Sequence, residues 1–167
     1  MLKPTLWLMV GPPGSGKSTA AKKMFNDKTI YVSRDEIRFS FLHDGDDYFA
    51  YEDQVLETFY TTISTWLNDG YNVIADATHL TEKARKATLN GLITNDNIEL
   101  HVSAVVACTP LEVALDRNAK REGRAFVPPT AIKRMYASTT DPREDQWIKY
   151  DVILYINENQ EIIEVRD

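Results

Sequence analysis

Eight consecutive residues, Gly11-Pro12-Pro13-Gly14-Ser15-Gly16-Lys17-Ser18, follow the pattern G-x-x-x-x-G-K-S. Their chemistry is phosphate binding. Glycine lets the backbone approach an anion closely and take conformations closed to other residues. Pro12 and Pro13 carry no backbone N–H, so the donors aimed at phosphate begin at Gly14. Gly14, Ser15, Gly16, Lys17, Ser18 and Thr19 are the expected cradle, with Lys17 bridging the β- and γ-phosphates and the Ser18 hydroxyl on Mg²⁺. The apolar run Leu6–Val10 lies just before the pattern, and a helix-like stretch to Phe25 follows it. A strand, a glycine loop and a helix N-terminus together attract anions. The motif therefore predicts a nucleoside triphosphate site, with ATP and Mg²⁺ as the expected ligands.

Ligands of open α/β sheets sit at the carboxyl ends of the strands, which selects three more places. Asp35 in Val32-Ser33-Arg34-Asp35-Glu36-Ile37-Arg38 falls just past a strand end, where it could accept a proton from an attacking hydroxyl. Arg38, one turn on, could hold an anionic acceptor. The same two residues also fit a helix N-cap and an i,i+3 ion pair. Asp76 ends the apolar run Val73-Ile74-Ala75 and matches a carboxylate that orients magnesium or its waters; capping the next helix is its other use, although Thr81 suits that better. The segment Arg117-Asn118-Ala119-Lys120-Arg121-Glu122-Gly123-Arg124 is basic within a chain of net charge −6. With Gly123 as a hinge it reads as a lid over about 118–128, its guanidinium groups closing on the transferring phosphoryl group; a solvated face is the alternative.

Elements that hold such residues must alternate, and they do. Strands are predicted at Thr5–Val10, Thr29–Val32, Asn72–Ala75, Glu99–Ala107 and Asp151–Ile156. Helices are predicted at Lys17–Phe25, from Asp35, and at Asp47–Leu67, Glu82–Ile93, Leu111–Lys120 and Thr130–Ser138. Leu56, Phe59, Tyr60, Ile63, Trp66 and Leu67 recur at helical spacing and read as core. The segment Glu161–Val165 closes a C-terminal hairpin around Asn157-Glu158-Asn159. The expectation is an α/β fold over residues 1–167 as a single domain: a five-stranded parallel sheet with helices on both faces, a small arginine-bearing lid and that hairpin.

Composition sets bounds. The 167 residues, 43% of them hydrophobic, can bury a core, and the acidic balance advertises no global field for nucleic acid or membrane. One cysteine, Cys108, excludes an internal disulfide and a thiolate metal cluster; it is expected to pack under the nucleotide pocket. His43, His79 and His101 lack metal-ligand spacing, and His79 is expected at the surface of a loop or against an acceptor. No apolar stretch nears the roughly 20 residues that span a bilayer. A soluble, cytoplasmic protein with no membrane partner is expected.

Taken together, G-P-P-G-S-G-K-S, V-S-R-D-E-I-R, V-I-A-D-A-T and R-N-A-K-R-E-G-R-A-F-V-P resemble the 5′-hydroxyl kinase domain of the polynucleotide kinase family, within the P-loop kinases (AAA-type ATPase-like). The resemblance covers the chain from the glycine loop to about Ser138. It implies that Lys17 and Ser18 serve ATP and magnesium, Asp35 is the general base, Arg38 binds the acceptor's phosphate, and Asp76 lies at the acceptor and metal side. It also implies that Arg121 contacts the donor phosphates and Arg117 the nucleotide. Thr78 stands where the family tends to carry asparagine, and no phosphatase domain of the bifunctional members is expected. The implied reaction moves the γ-phosphate to a hydroxyl, most simply the 5′ end of a polynucleotide or nucleotide. A small-metabolite kinase, or a nucleotide-gated binding module without phosphotransfer, remains as an alternative, although the latter's base-reading N-K-x-D element is missing from the sequence.

Overall fold

In the computed structural model, which describes residues 1–24 and 26–167, the first apolar run forms β1 (Thr5–Val10) at the middle of the sheet. Leu6, Leu8, Met9 and Val10 are inaccessible to solvent. A strand apolar on both faces needs helices on both, and it has them. Leu6 and Leu8 pack with Phe59, Ile63 and Leu67 of α3 (Glu52–Asn68) on one side. Met9 meets Ala20 and Ala21 of α1 (Lys17–Met24) on the other.

The sheet has six strands. In spatial order, β2 (Thr29–Ser33), β3 (Asn72–Asp76), β1, β4 (His101–Ala107) and β5 (Ile153–Ile156) run parallel, and β6 (Ile162–Arg166) returns antiparallel beside β5. The expected five parallel strands and closing hairpin thus share one sheet. Because the chain leaves β1 toward β2 on one side and later adds β4 on the other, the crevice beyond the end of β1 is a topological switch point. The remaining helices are α2 (Arg34–Phe41), α4 (Glu82–Gly91), α5 (Leu111–Ala119) and α6 (Pro129–Ser138).

Differences from the sequence expectation are local. The predicted end of the first helix, Phe25, lies outside the described residues. The third helix begins at Glu52 rather than Asp47, because Asp44-Gly45-Asp46-Asp47 turns the chain, with Gly45 at φ +86°. That loop carries Tyr48 and Phe49 onto the Arg38 guanidinium, 4.8 and 5.5 Å from the ring centroids. Its buried stripe is Val55, Phe59, Ile63 and Leu67, an i,i+4 row, while Leu56, Tyr60 and Trp66 flank it half-buried. The strands expected from Glu99 and Asp151 start at His101 and Ile153.

Candidate active site

The phosphate loop is fixed by backbone. Gly11 N donates to Thr78 O at 3.0 Å, tying the start of the loop to the residues after β3. Gly14 and Gly16 take φ of +81° and +87°, where a side chain is strained. A Cβ on Gly14 would lie 2.6 Å from the Ala114 carbonyl oxygen of α5, so the loop packs backbone against backbone there. Thr109 Oγ1 donates to Ser15 O at 2.5 Å, and Arg117 donates to Gly14 O at 3.4 Å and to the Glu158 carbonyl of the β5–β6 turn. Ser18 is half-buried and Thr19 exposed on the first turn of α1.

Asp76 closes β3 beside this loop. Its Oδ1 lies 3.3 Å from Lys17 Nζ, and its Oδ2 accepts from Tyr31 Oη at 2.5 Å. Burial pushes the Asp76 carboxyl up, but Lys17, with Tyr31 and Ser18 nearby, holds it below its ordinary value. Burial, and then the Asp76 charge, raise the Tyr31 phenol. The Lys17 contact does not have hydrogen-bonding geometry, so Asp76 Oδ1 stays a buried oxygen without a hydrogen bond. Among the described residues the buried side-chain polar atoms lacking a partner are Ser15 Oγ and Asp76 Oδ1, of the phosphate loop and the end of β3 beside it, and Arg34 Nε at the start of α2. Such atoms are costly and call for a ligand. Magnesium fits the free Asp76 oxygen: with the Ser18 hydroxyl it offers hard oxygens in the two-ligand manner magnesium prefers, leaving room for phosphate and water.

Across from the loop, a cleft of about 930 Å³ is lined by Lys17, Asp35, Arg38 and Arg121 together with Arg34, Arg124 and Arg134. Asp35 is not the cap of α2. Ser33 Oγ accepts from Glu36 N at 3.1 Å, which leaves the Asp35 carboxylate mostly exposed to the cleft. The alternative i,i+3 pair is present, with Arg38 Nη1 donating to Asp35 Oδ1 at 2.5 Å. Arg38 is buried and also donates to both oxygens of Glu52, at 3.0 and 2.9 Å, and to Tyr48 Oη at 3.2 Å. Arg34 shares Glu52 at 2.5 Å. Burial would raise the Glu52 carboxyl; hydrogen bonds from Arg38 and Arg34 hold it below its usual range.

The segment expected as a lid forms a short loop over the cleft. Its base is stapled by the fully buried Asn118, which donates to Val127 O at 2.6 Å and accepts from Val127 N at 3.0 Å. Gly123 sits at φ +59° with nothing near a Cβ. Arg124 donates to His43 O and Asp46 O, at 3.0 and 2.9 Å, so this loop rests on the α2–α3 loop. Arg121 is exposed and lines the cleft, whereas Arg117 turns the other way, onto the phosphate loop.

Two expectations are corrected. His79 is neither a surface group nor against an acceptor. It is buried at φ +46°, its Nδ1 2.8 Å from Met9 O and its Nε2 2.9 Å from Thr88 Oγ1. Burial brings it down to about 4, so it is neutral at pH 7. Cys108 does not pack under the pocket, since it is exposed at the end of β4, and burial of part of the side chain raises its thiol pKa. Sequence reasoning also missed Glu52, Tyr31 and the fully buried Arg85. Arg85 donates to Asp145 at 2.8 and 2.6 Å and to His79 O at 2.8 Å, holding α4 to the segment before β5. Nothing in periodicity marks these residues, because their charged side-chain partners, Arg38, Asp76 and Asp145, lie 14, 45 and 60 residues away in the chain.

The family model described as AAA domain (AAA_33) matches residues 6–142. Among curated proteins no relative matches the chain. Among solved structures, the chain is similar to one in the Pnkp1/Rnl/Hen1 RNA repair complex, 27% identical over 81% of this chain and 43% of that one, with a TM-score of 0.68. It therefore spans less than half of that relative's length. It also resembles a sugar kinase from Janibacter sp. HTCC2649, with 20% identity, 95% and 87% coverage and a TM-score of 0.62. Kti12 from Chaetomium thermophilum, in complex with ADP-AlF3, aligns at 14% identity over 91% and 88% of the two chains, with a TM-score of 0.64. Among the described residues no helix is long and apolar enough to cross a membrane.

Proposed function

The chain belongs to the AAA-domain family and has the P-loop kinase fold, and from that premise we propose that it transfers the γ-phosphate of ATP to a hydroxyl, with the 5′ end of a polynucleotide as the preferred acceptor. One observation carries this reading. The cleft beside the phosphate loop gathers Arg34, Arg38, Arg121, Arg124 and Arg134 along with Asp35, in a protein of net charge −6. Arginine suits phosphate because its planar fork bonds two oxygens at once. A neutral sugar has no use for such a concentration. The 27% identity to a chain of an RNA repair complex supports the same choice.

In the proposed reaction the Asp35 carboxylate takes the proton of the attacking hydroxyl, and Lys17 and Arg121 hold the charge that spreads over the phosphoryl oxygens. Magnesium, held through Ser18 and Asp76, would neutralise the β- and γ-phosphate oxygens when bound. Backbone N–H groups from Gly14 to Thr19 and the positive end of α1 fix the donor, and Arg117 braces the loop that presents them. Arg38 binds the acceptor's phosphate. The loop 118–128 excludes water as it closes.

A second reading has its own observation. Glu52 and Asp35 already engage most of the Arg38 donors, which favours a small, uncharged acceptor that leaves these pairs intact. Arg38→Ala separates the two. For a polynucleotide, the acceptor KM rises at least about tenfold while that for ATP holds, as expected for a lost charge-assisted pair. An acceptor KM that ignores the substitution, or product only with sugars, sinks the polynucleotide reading.

A further inference from the structure

Tyr31 lies on β2, the edge strand of the sheet, two residues before Ser33, which pairs with Asp76 of β3. Tyr31 and Asp76 are thus diagonal neighbours on one face, within reach of a long side chain. The phenol donates to Asp76 Oδ2 at 2.5 Å, the length of a hydrogen bond to a charged oxygen. The other oxygen, Oδ1, is buried without a hydrogen bond and lies 3.3 Å from Lys17. A carboxylate on a strand end is free to turn about its last bond, and Lys17 would draw both oxygens toward itself. One oxygen is pinned by Tyr31, and the other is left over.

We propose that Tyr31 is a positioning residue: by holding Oδ2, it keeps Asp76 Oδ1 available to a hydrated divalent cation and Lys17 available to phosphate. The inference rests on the nucleotide half of the function proposed above and not on the acceptor. Outer residues of this kind commonly govern metal affinity as strongly as the ligands they orient. The Tyr31 ring packs against the cluster of Met9, Ala20, Ala21 and Ile74, so Tyr31→Phe removes the hydroxyl and keeps the packing.

The test is calorimetric titration of ATP into the wild-type chain and into Tyr31→Phe, each with Mg²⁺ and with a chelator. The affinity gained from Mg²⁺ should fall about tenfold in the variant. ATP affinity in chelator should hold within about twofold, and the unfolding midpoint should fall by a few degrees at most, since the buried Asp76 carboxylate loses one donor. In an Asp76→Asn background, Tyr31→Phe should add nothing, because the oriented oxygen is gone. Equal losses of ATP affinity with and without Mg²⁺ would assign Tyr31 a merely structural role and overturn the proposal. So would an undiminished Mg²⁺ gain, which leaves the phosphate site itself standing. A wild-type chain that binds no ATP in either condition removes the phosphate site and this inference with it.

Discussion

The two halves of the cleft are built by different means. On the donor side the phosphate loop is shaped by backbone: two glycines at positive φ, a close approach of Gly14 to α5, and hydrogen bonds to carbonyls of Pro12, Gly14 and Ser15. On the side proposed for the acceptor the shape comes from side chains, with Arg38 suspended between Asp35, Tyr48 and Glu52. A backbone cradle suits a constant ligand such as a triphosphate, whereas a side-chain network can be retuned for different acceptors with few substitutions. Kinases of one fold and many acceptors are the expected product of that division.

The contrast can be broken at its strongest point first. Lys17→Ala should reduce phosphoryl transfer by about a thousandfold or more, since it removes a preorganised charge from the transferring group. Circular dichroism should still report a folded chain; activity within tenfold of wild type would remove Lys17 from the donor half.

Next comes His79, which ties the end of β1 to α4 beneath the donor half. Its folded value of about 4 lies below the ordinary 6.5, so the unfolded chain takes up the proton first as pH falls. Stability tied to His79 is therefore intact above pH 6.5 and lost on the way down to about 4, to the extent of about 3 kcal/mol. His101, raised by Glu99 and Asp151, contributes the opposite slope. The check is denaturant unfolding of wild type and His79→Gln between pH 7 and 4, where the variant should lose much of the wild-type slope.

Gly14→Ala should cost about 2 kcal/mol of stability, because alanine at φ +81° is strained and its Cβ meets the Ala114 carbonyl. ATP affinity should fall with it. If the donor half were tuned by side chains as the acceptor half is, this variant would behave like wild type. The smallest effect belongs to Glu52→Gln. It should raise the acceptor KM about tenfold and leave the ATP KM unchanged, because the residues it loosens, Arg38 and Arg34, both lie away from the phosphate loop. A change in both constants would merge the two halves.

The same division explains what was legible in the sequence. Gly14, Gly16, Lys17 and Ser18 sit in eight contiguous residues, and the strand and helix around them are themselves local patterns, so motif, sheet and helix order could all be read. Asp35 and Arg38 were readable as candidates because they are one turn apart. Their partners were not. Glu52 lies 14 residues from Arg38, and Tyr31 lies 45 from Asp76. Side chains brought together by strand pairing, as Tyr31 and Asp76 are, or by helix packing, as Arg38 and Glu52 are, leave no period to detect. His79 was misplaced for the same reason: a polar residue in a loop looks exposed until Met9 and Thr88 are known to close on it. The boundary at Glu52 was missed because the turn at residues 44–47 delivers Tyr48 and Phe49 to cation–π packing on Arg38, a distant partner that holds them out of the helix their sequence would extend.

The central claim is phosphoryl transfer with Asp35 as the base. Its most direct test is to incubate the chain with Mg²⁺ and ATP labelled at the γ-phosphate in the presence of a 5′-hydroxyl oligonucleotide, with Asp35→Ala in parallel. The account predicts label on the 5′ end with wild type and a loss of about a hundredfold or more in the variant. Label on the oligonucleotide at equal rates in both, or ATP binding with no transfer to oligonucleotide, sugar or nucleoside, would contradict it.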